Sequence, residues 1–120
     1  MKETAEGLGF GQGAMVVIVL HSPREKCWGR LDQISQAGVF LRGLDLTAFD
    51  DWLSAIVHGD PFPGLGDIFF PLWRVERIAR DEGSEGLPSL FEQAEQRTGR
   101  MLAELLGTGG SEPDLSGQGF

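Results

Sequence analysis

A single cysteine in 120 residues, Cys27, excludes an intrachain disulfide framework and an all-cysteine zinc site. Long apolar runs are missing too. The longest, Ala14 to Leu20, has seven residues, where a membrane helix needs about 20. The opening Met1-Lys2-Glu3-Thr4 lacks the basic-then-apolar pattern of a secretory signal. The expectation is a cytoplasmic protein with no membrane partner. Histidine is scarce, with only His21 and His58, and no HxH, HExxH or CxxC spacing occurs. No GxSxG elbow and no Walker A lysine is present. The reading is therefore non-enzymatic, with no catalytic residue, cofactor or metal assigned. Basic residues are few, 10 Lys and Arg against 18 Asp and Glu, for a formal charge of −8. That balance argues against DNA, which selects a basic footprint.

What is present is one domain's worth of chain, 41% hydrophobic. Its charge is uneven. Residues 14–80 hold seven basic and eight acidic side chains, net −1, whereas 81–120 hold two basic and eight acidic, net −6. Nine of the 18 glycines fall in residues 1–13 and 107–120, which read as flexible tails. Within the first of these, Gly7-Leu8-Gly9-Phe10-Gly11-Gln12-Gly13 precedes a strand, whereas a dinucleotide-binding glycine loop follows one. Four parts are expected: the tail 1–13, a β domain 14–80, an acidic linker and C-terminal helix 81–106, and the tail 107–120.

Ala14 to His21 is a Val- and Ile-rich strand, and Ser22-Pro23-Arg24-Glu25 suits a type I turn. Lys26 to Ile34 returns as a second strand, in which Gly29 marks a bend or a close backbone approach. Val39 to Leu46 makes a third. Thr47 as N-cap, with Asp50 three residues on, opens a helix carrying Phe49, Trp52, Leu53, Ile56 and Val57 on one face and ending at Gly59. Residues 58–67 read as a loop, a lid if the domain is instead a small-ligand-binding or enzymatic one. Asp67 to Arg80 is a second β region, broken near Trp73-Arg74. A last helix starts near Pro88 and runs past Gly99 to Leu106. The fold class is α+β, mainly β, in the order β-β-β-α-β-β-α, a small bent sheet or barrel.

This pattern resembles the Sm-like small barrels. The matching strands are Val16–Leu20, Gly29-Arg30-Leu31, Val39–Leu41 and the run Ile68 to Ile78, with residues 47–58 filling the variable connection between strands three and four. The resemblance covers residues 14–80. It implies a bent five-stranded antiparallel barrel, Sm-like or SH3-like, with strand edges able to build a ring. The family's RNA-gripping positions fall here on Ser35, Gly38-Val39 and Pro71-Leu72, which do not keep its aspartate, asparagine or Arg-Gly, so RNA binding is not carried over. Pro23 to Gly29 and Phe69-Phe70-Pro71 also look like segments of uncharacterised bacterial proteins.

Two surfaces remain as candidates. Arg24, Lys26, Arg30, Arg42, Arg74 and Arg77, with Trp28 and Trp73 near them, form a face for RNA or an acidic partner, or else pair locally with Glu25, Asp32, Asp45, Glu76 and Asp81. Phe69, Phe70, Trp52 and Trp73 either fill the core or supply an interface between copies, beside the edges an open sheet exposes. Self-association is the leading expectation and RNA binding the alternative. Cys27 reads as a small buried hydrophobe, or as a reactive thiol if Arg24 and Lys26 lie against it. Asp50 and Asp51 are explained by the helix start.

Overall fold

The apolar run beginning at Ala14 forms an interior strand, β1 (Met15–Leu20), bonded on both sides: to β2 (Glu25–Ile34) and to β5 (Val75–Arg80). Its side chains are covered on both faces of the sheet, which is why its sequence shows no polar alternation. β3 (Gly38–Asp45) follows β2, and β4 (Gly66–Pro71) lies beyond β3. The sheet is antiparallel throughout, in the order β4-β3-β2-β1-β5. Three helices complete the α+β fold: α1 (Phe49–His58) between β3 and β4, then α2 (Leu90–Thr98) and α3 (Leu102–Gly107). The computed structural model describes residues 13–61 and 65–107. Gly13 and Gly107 apart, the glycine-rich tails fall outside the described residues, as does the centre of the 58–67 loop.

One face of the sheet gathers Val16, Ile18, Leu20, Cys27, Leu31, Val39, Leu41 and Phe70, with Ile68, Val75 and Ile78 packed against them. No helix contributes to this cluster, so the sheet buries it by curling over itself. The chain requires that curl. Laid flat, β4 and β5 would stand about 19 Å apart, four spacings of ~4.8 Å. The 3-10 turn Leu72–Arg74 that joins them covers only about 6 Å. Glycine permits the bend: a Cβ on Gly29 would meet the Arg42 carbonyl oxygen at 2.2 Å, and one on Gly43 would meet that of Trp28 at 2.0 Å. The close approach expected at Gly29 is therefore a backbone-to-backbone contact with β3. The curl stops short of a closed barrel, because β4 and β5 leave their shared turn along different partners, β3 and β1, and remain the two edges.

The opposite face carries the helices. Trp28, Phe49, Trp52, Leu53, Ile56, Leu65, Ala94, Leu105 and Leu106 form the second core, with Met15, Val17 and Leu44 beneath. At the heart of this core Trp28 meets Phe49 edge-on and Trp52 at a tilt, at centroid distances of 5.1 and 5.9 Å.

Two helix ends differ from expectation. Thr47 does not cap α1. The cap belongs to Asp45, whose carboxylate accepts from the Thr47 N–H (2.9 Å) and Oγ1 (2.7 Å) and opens a 3-10 turn, Leu46–Ala48, that runs into α1. A carboxylate with two donors on one oxygen outcompetes a lone hydroxyl for that role. The single C-terminal helix is instead two. Ser89 and Glu92 make a capping box for α2, and Gly99, at φ 73, stops it. Thr98 helps by turning its hydroxyl back to the Ala94 carbonyl (2.7 Å). In the first turn of the sheet, the Ser22–Pro23 bond is cis and Ser22 has φ 61. No helix among the described residues is long and apolar enough to cross a membrane.

Candidate interaction surface

The two sheet edges offer different chemistry. On β4 the Leu72 N–H donates to the Ala37 carbonyl (3.1 Å), one step beyond the Gly38–Pro71 pair. Bonded and non-bonded pairs alternate along an antiparallel ladder. Phe70 and Ile68 therefore bond inward to β3, while the backbone groups of Asp67, Phe69 and Pro71 point to the open side. Pro71 occupies a place where its missing N–H costs the sheet nothing. On β5 the Asp81 N–H donates to the Met15 carbonyl (2.9 Å), so Ala79 and Arg77 bond to β1 and Ile78 and Arg80 turn outward.

Side chains sharpen the contrast. Phe69 lies opposite Phe40 on the helix-bearing face, with centroids 4.8 Å apart, and the two rings are 43% and 41% exposed. Leu72 and Trp73, in the turn that follows, are 45% and 65% exposed. Trp73 stands edge-on to His21 at 6.3 Å. β5 instead carries Glu76, Arg77 and Arg80. Of the four aromatics offered for an interface, Phe69 and Trp73 are on the surface and Phe70 and Trp52 are in the two cores. Trp28, offered as an aromatic beside the basic residues, is fully buried, and its indole donates to Asp81 (2.9 Å). It cannot reach a ligand.

Most of the basic residues have partners within the chain. Arg24 pairs with Glu76 (3.0 Å) and Arg30 with Asp32 (2.8 Å). Arg42 donates Nε to the Leu106 carbonyl at the end of α3 (2.7 Å) and Nη1 to Asp67 (3.1 Å). Arg74 donates to the carbonyls of His21 (2.8 Å) and Pro23 (2.7 Å) and to Glu25 (2.9 Å), which clamps the β4–β5 turn against the β1–β2 turn. Among the described residues Lys26 and Arg77 have no such partner, and the register sets them on either side of Val19 in one rung across β2, β1 and β5. Arg24, Lys26, Glu25, Asp45, Leu46 and Thr47 line an open depression of about 380 Å³ with both signs of charge.

The acidic C-terminal region also has local uses that its composition concealed. Asp81 is buried and accepts from the N–H groups of Leu90 (2.8 Å) and Phe91 (2.9 Å), besides the Trp28 indole. Glu92 accepts from Ser89 N–H, Glu95 from Leu102 N–H and Glu104 from Met101 N–H. Four of the six carboxylates between 81 and 106 thus satisfy helix N-termini. The sequence offers Asp81 only as a local partner for the basic residues, and this role was missed. The one available signal was an acid ten residues ahead of a helix's first turn, and no pattern names it.

The remaining polar candidates are structural. His58 Nδ1 lies 2.8 Å from the Ser54 carbonyl at the end of α1, and His21 Nδ1 lies 3.1 Å from Ser22 Oγ. Burial, then Asp45 and Glu25, push the Cys27 thiol up to about 11, against a smaller opposing effect of Arg74. It is a buried thiol, not an activated nucleophile. Comparison with protein-family models, curated proteins and solved structures finds no match to this chain.

Proposed function

We propose that this chain is a non-enzymatic binding and assembly module, an Sm-like small β domain that self-associates through its sheet edges and exposed aromatics. One observation carries the reading: among the described residues β4 and β5 are open edges, and exposed Phe69, Leu72 and Trp73 lie on and beside β4. The five curled antiparallel strands and the helix between strands three and four support the Sm-like resemblance. Multi-angle light scattering over a wide concentration range tests the module. The expected result is a mass that rises with concentration; a strict monomer at high concentration would refute it.

A second reading, RNA binding, rests on Lys26 and Arg77, the unpaired cations flanking Val19 in one rung. Titration with short single-stranded RNA at several salt concentrations tests it. Binding that weakens with salt and is lost in Lys26→Glu/Arg77→Glu supports it, and no binding at low salt removes it.

A further inference from the structure

The geometry points to a two-fold pairing of β4 with β4 of a second copy, Phe69 facing Phe69 across the axis, an inference that rests on the self-association proposed above. It begins with the backbone. Asp67 and Phe69 turn one N–H and one C=O each to the open side of β4, and Pro71 turns a C=O alone. Two such edges placed antiparallel, with Phe69 opposite Phe69, exchange two bonds between the Phe69 residues. Each Asp67 N–H then reaches the Pro71 carbonyl of the other copy. Pro71, which has no donor, is asked only to accept. A register one pair along makes as many bonds, but sets the Asp67 carboxylate against a phenyl ring.

Side chains select the same arrangement. Residues whose backbones bond across an antiparallel pair share a face. Phe40 and Phe69 stand on the helix-bearing face, so the two-fold axis lines up Phe40, Phe69, Phe69 and Phe40 across four adjacent strands, the kind of aromatic ladder that stabilises cross-strand pairs. Pairing β4 with β5 of a second copy does not achieve this. The outward residues of β5, Ile78 and Arg80, are opposite Ile18 and Val16, so their side chains belong to the inner face. The aromatic patch of one copy would then continue into the self-buried face of the next.

Charge agrees. Asp67 is the one charged residue on β4 and is neutralised within its own copy by Arg42 at 3.1 Å. Two copies of β4 can therefore meet without like-charge repulsion.

Area sets the strength. Rings of about 200 Å² each, 41% and 43% exposed, supply roughly 170 Å² per copy, against ~800 Å² per partner in a standard interface. The strand backbone must supply most of the rest, so the dimer is a reversible one that forms as concentration rises.

The test uses the full chain, with sedimentation velocity and residue-resolved amide exchange from low-micromolar to near-millimolar concentration. The expected result is a monomer–dimer equilibrium with no larger species. The amides of Asp67 and Phe69 slow as dimer forms, while those of Ile68 and Phe70, bonded to β3, are slow throughout. Phe69→Lys weakens the dimer by about tenfold or more, and Arg77→Glu leaves it unchanged. A monomer at every concentration overturns both this pairing and the self-association reading. Rings or larger assemblies, or a dimer in which the Asp67 and Phe69 amides stay fast, overturn the β4 pairing and leave self-association standing. Protection of those two amides independent of concentration assigns the edge to a segment of the same chain and overturns it as well.

Discussion

β4 and β5 are neighbours in sequence and opposite edges in space, separated by a three-residue turn. β5 is guarded twice. Three of its four exposed residues, Glu76, Arg77 and Arg80, are charged, and the residue after it, Asp81, ties the chain to α2 and to Trp28. β4 is unguarded: it carries one neutralised charge, an exposed phenyl ring and a proline that subtracts a single donor. The difference shows that edge protection is a property of individual strands, and that a sheet can shield one side while leaving the other open to a partner.

The largest expected effect breaks the guarded side. Asp81→Ala leaves the buried Trp28 indole and the Leu90 and Phe91 N–H groups at the start of α2 without their acceptor, a loss of about 3 kcal/mol. Urea unfolding should show a lower midpoint with an unchanged slope, and a loss below about 1 kcal/mol would mean that the Asp81 tie is not what holds α2 to the sheet.

The next perturbation makes the two edges alike. Glu76→Val with Arg77→Val leaves Arg80 as the one charged residue on β5 and is expected to extend association beyond the wild-type species, seen as mass growth in light scattering. Unaltered association in this variant would show that side-chain charge does not guard β5.

A smaller effect is expected at Asp45, at the end of β3 between the two edges. Asp45→Ala removes the cap of the turn into α1 and costs about 1 kcal/mol. The side-chain and then the backbone hydrogen bond from Thr47 hold the Asp45 carboxyl below the usual carboxylate range. Its folded-state value is therefore depressed. Its stabilisation is complete above the ordinary carboxylate pKa, about 3.9, and disappears as pH falls through the lower folded value. The stability curves of wild type and Asp45→Ala should converge in acid; a constant gap down to that range would contradict the assignment.

The smallest effect is at the rim of β5. Arg24 and Glu76 have side chains 65% and 43% exposed, so Arg24→Ala should change stability by no more than about 0.5 kcal/mol. A larger loss in thermal unfolding would show that this pair braces the edge.

Much of this architecture was legible locally. The Val- and Ile-rich run became β1, the break near Trp73 became the 3-10 turn between β4 and β5, Gly59 ended α1, and Gly29 lies in close backbone contact. Each depends on neighbours a few residues away, where spacing and side-chain type carry the physics. The C-terminal helix is two rather than one because Thr98, bonded back to Ala94, and left-handed Gly99 make an end where the apolar spacing alone continues.

The interaction surface was less legible. The expected strands and turns could group Arg24, Arg42 and Arg74 on one face, but not show that each already had an acceptor, since Arg42 finds Leu106 sixty-four residues away and Arg74 finds His21 fifty-three away. The sequence could name four interface aromatics, but not that Trp52 and Phe70 turn inward while Phe69 and Trp73 stay out.

The sequence by itself determined the five strands and the first helix and their order, because hydrophobic spacing and glycines act over one or two turns of chain. The tertiary structure alone decided that Trp28 is core and bound to Asp81, and that β4 is the edge with an exposed aromatic. Those outcomes depend on strand register and on the curl of the sheet, which bring together groups more than fifty residues apart that no local pattern connects.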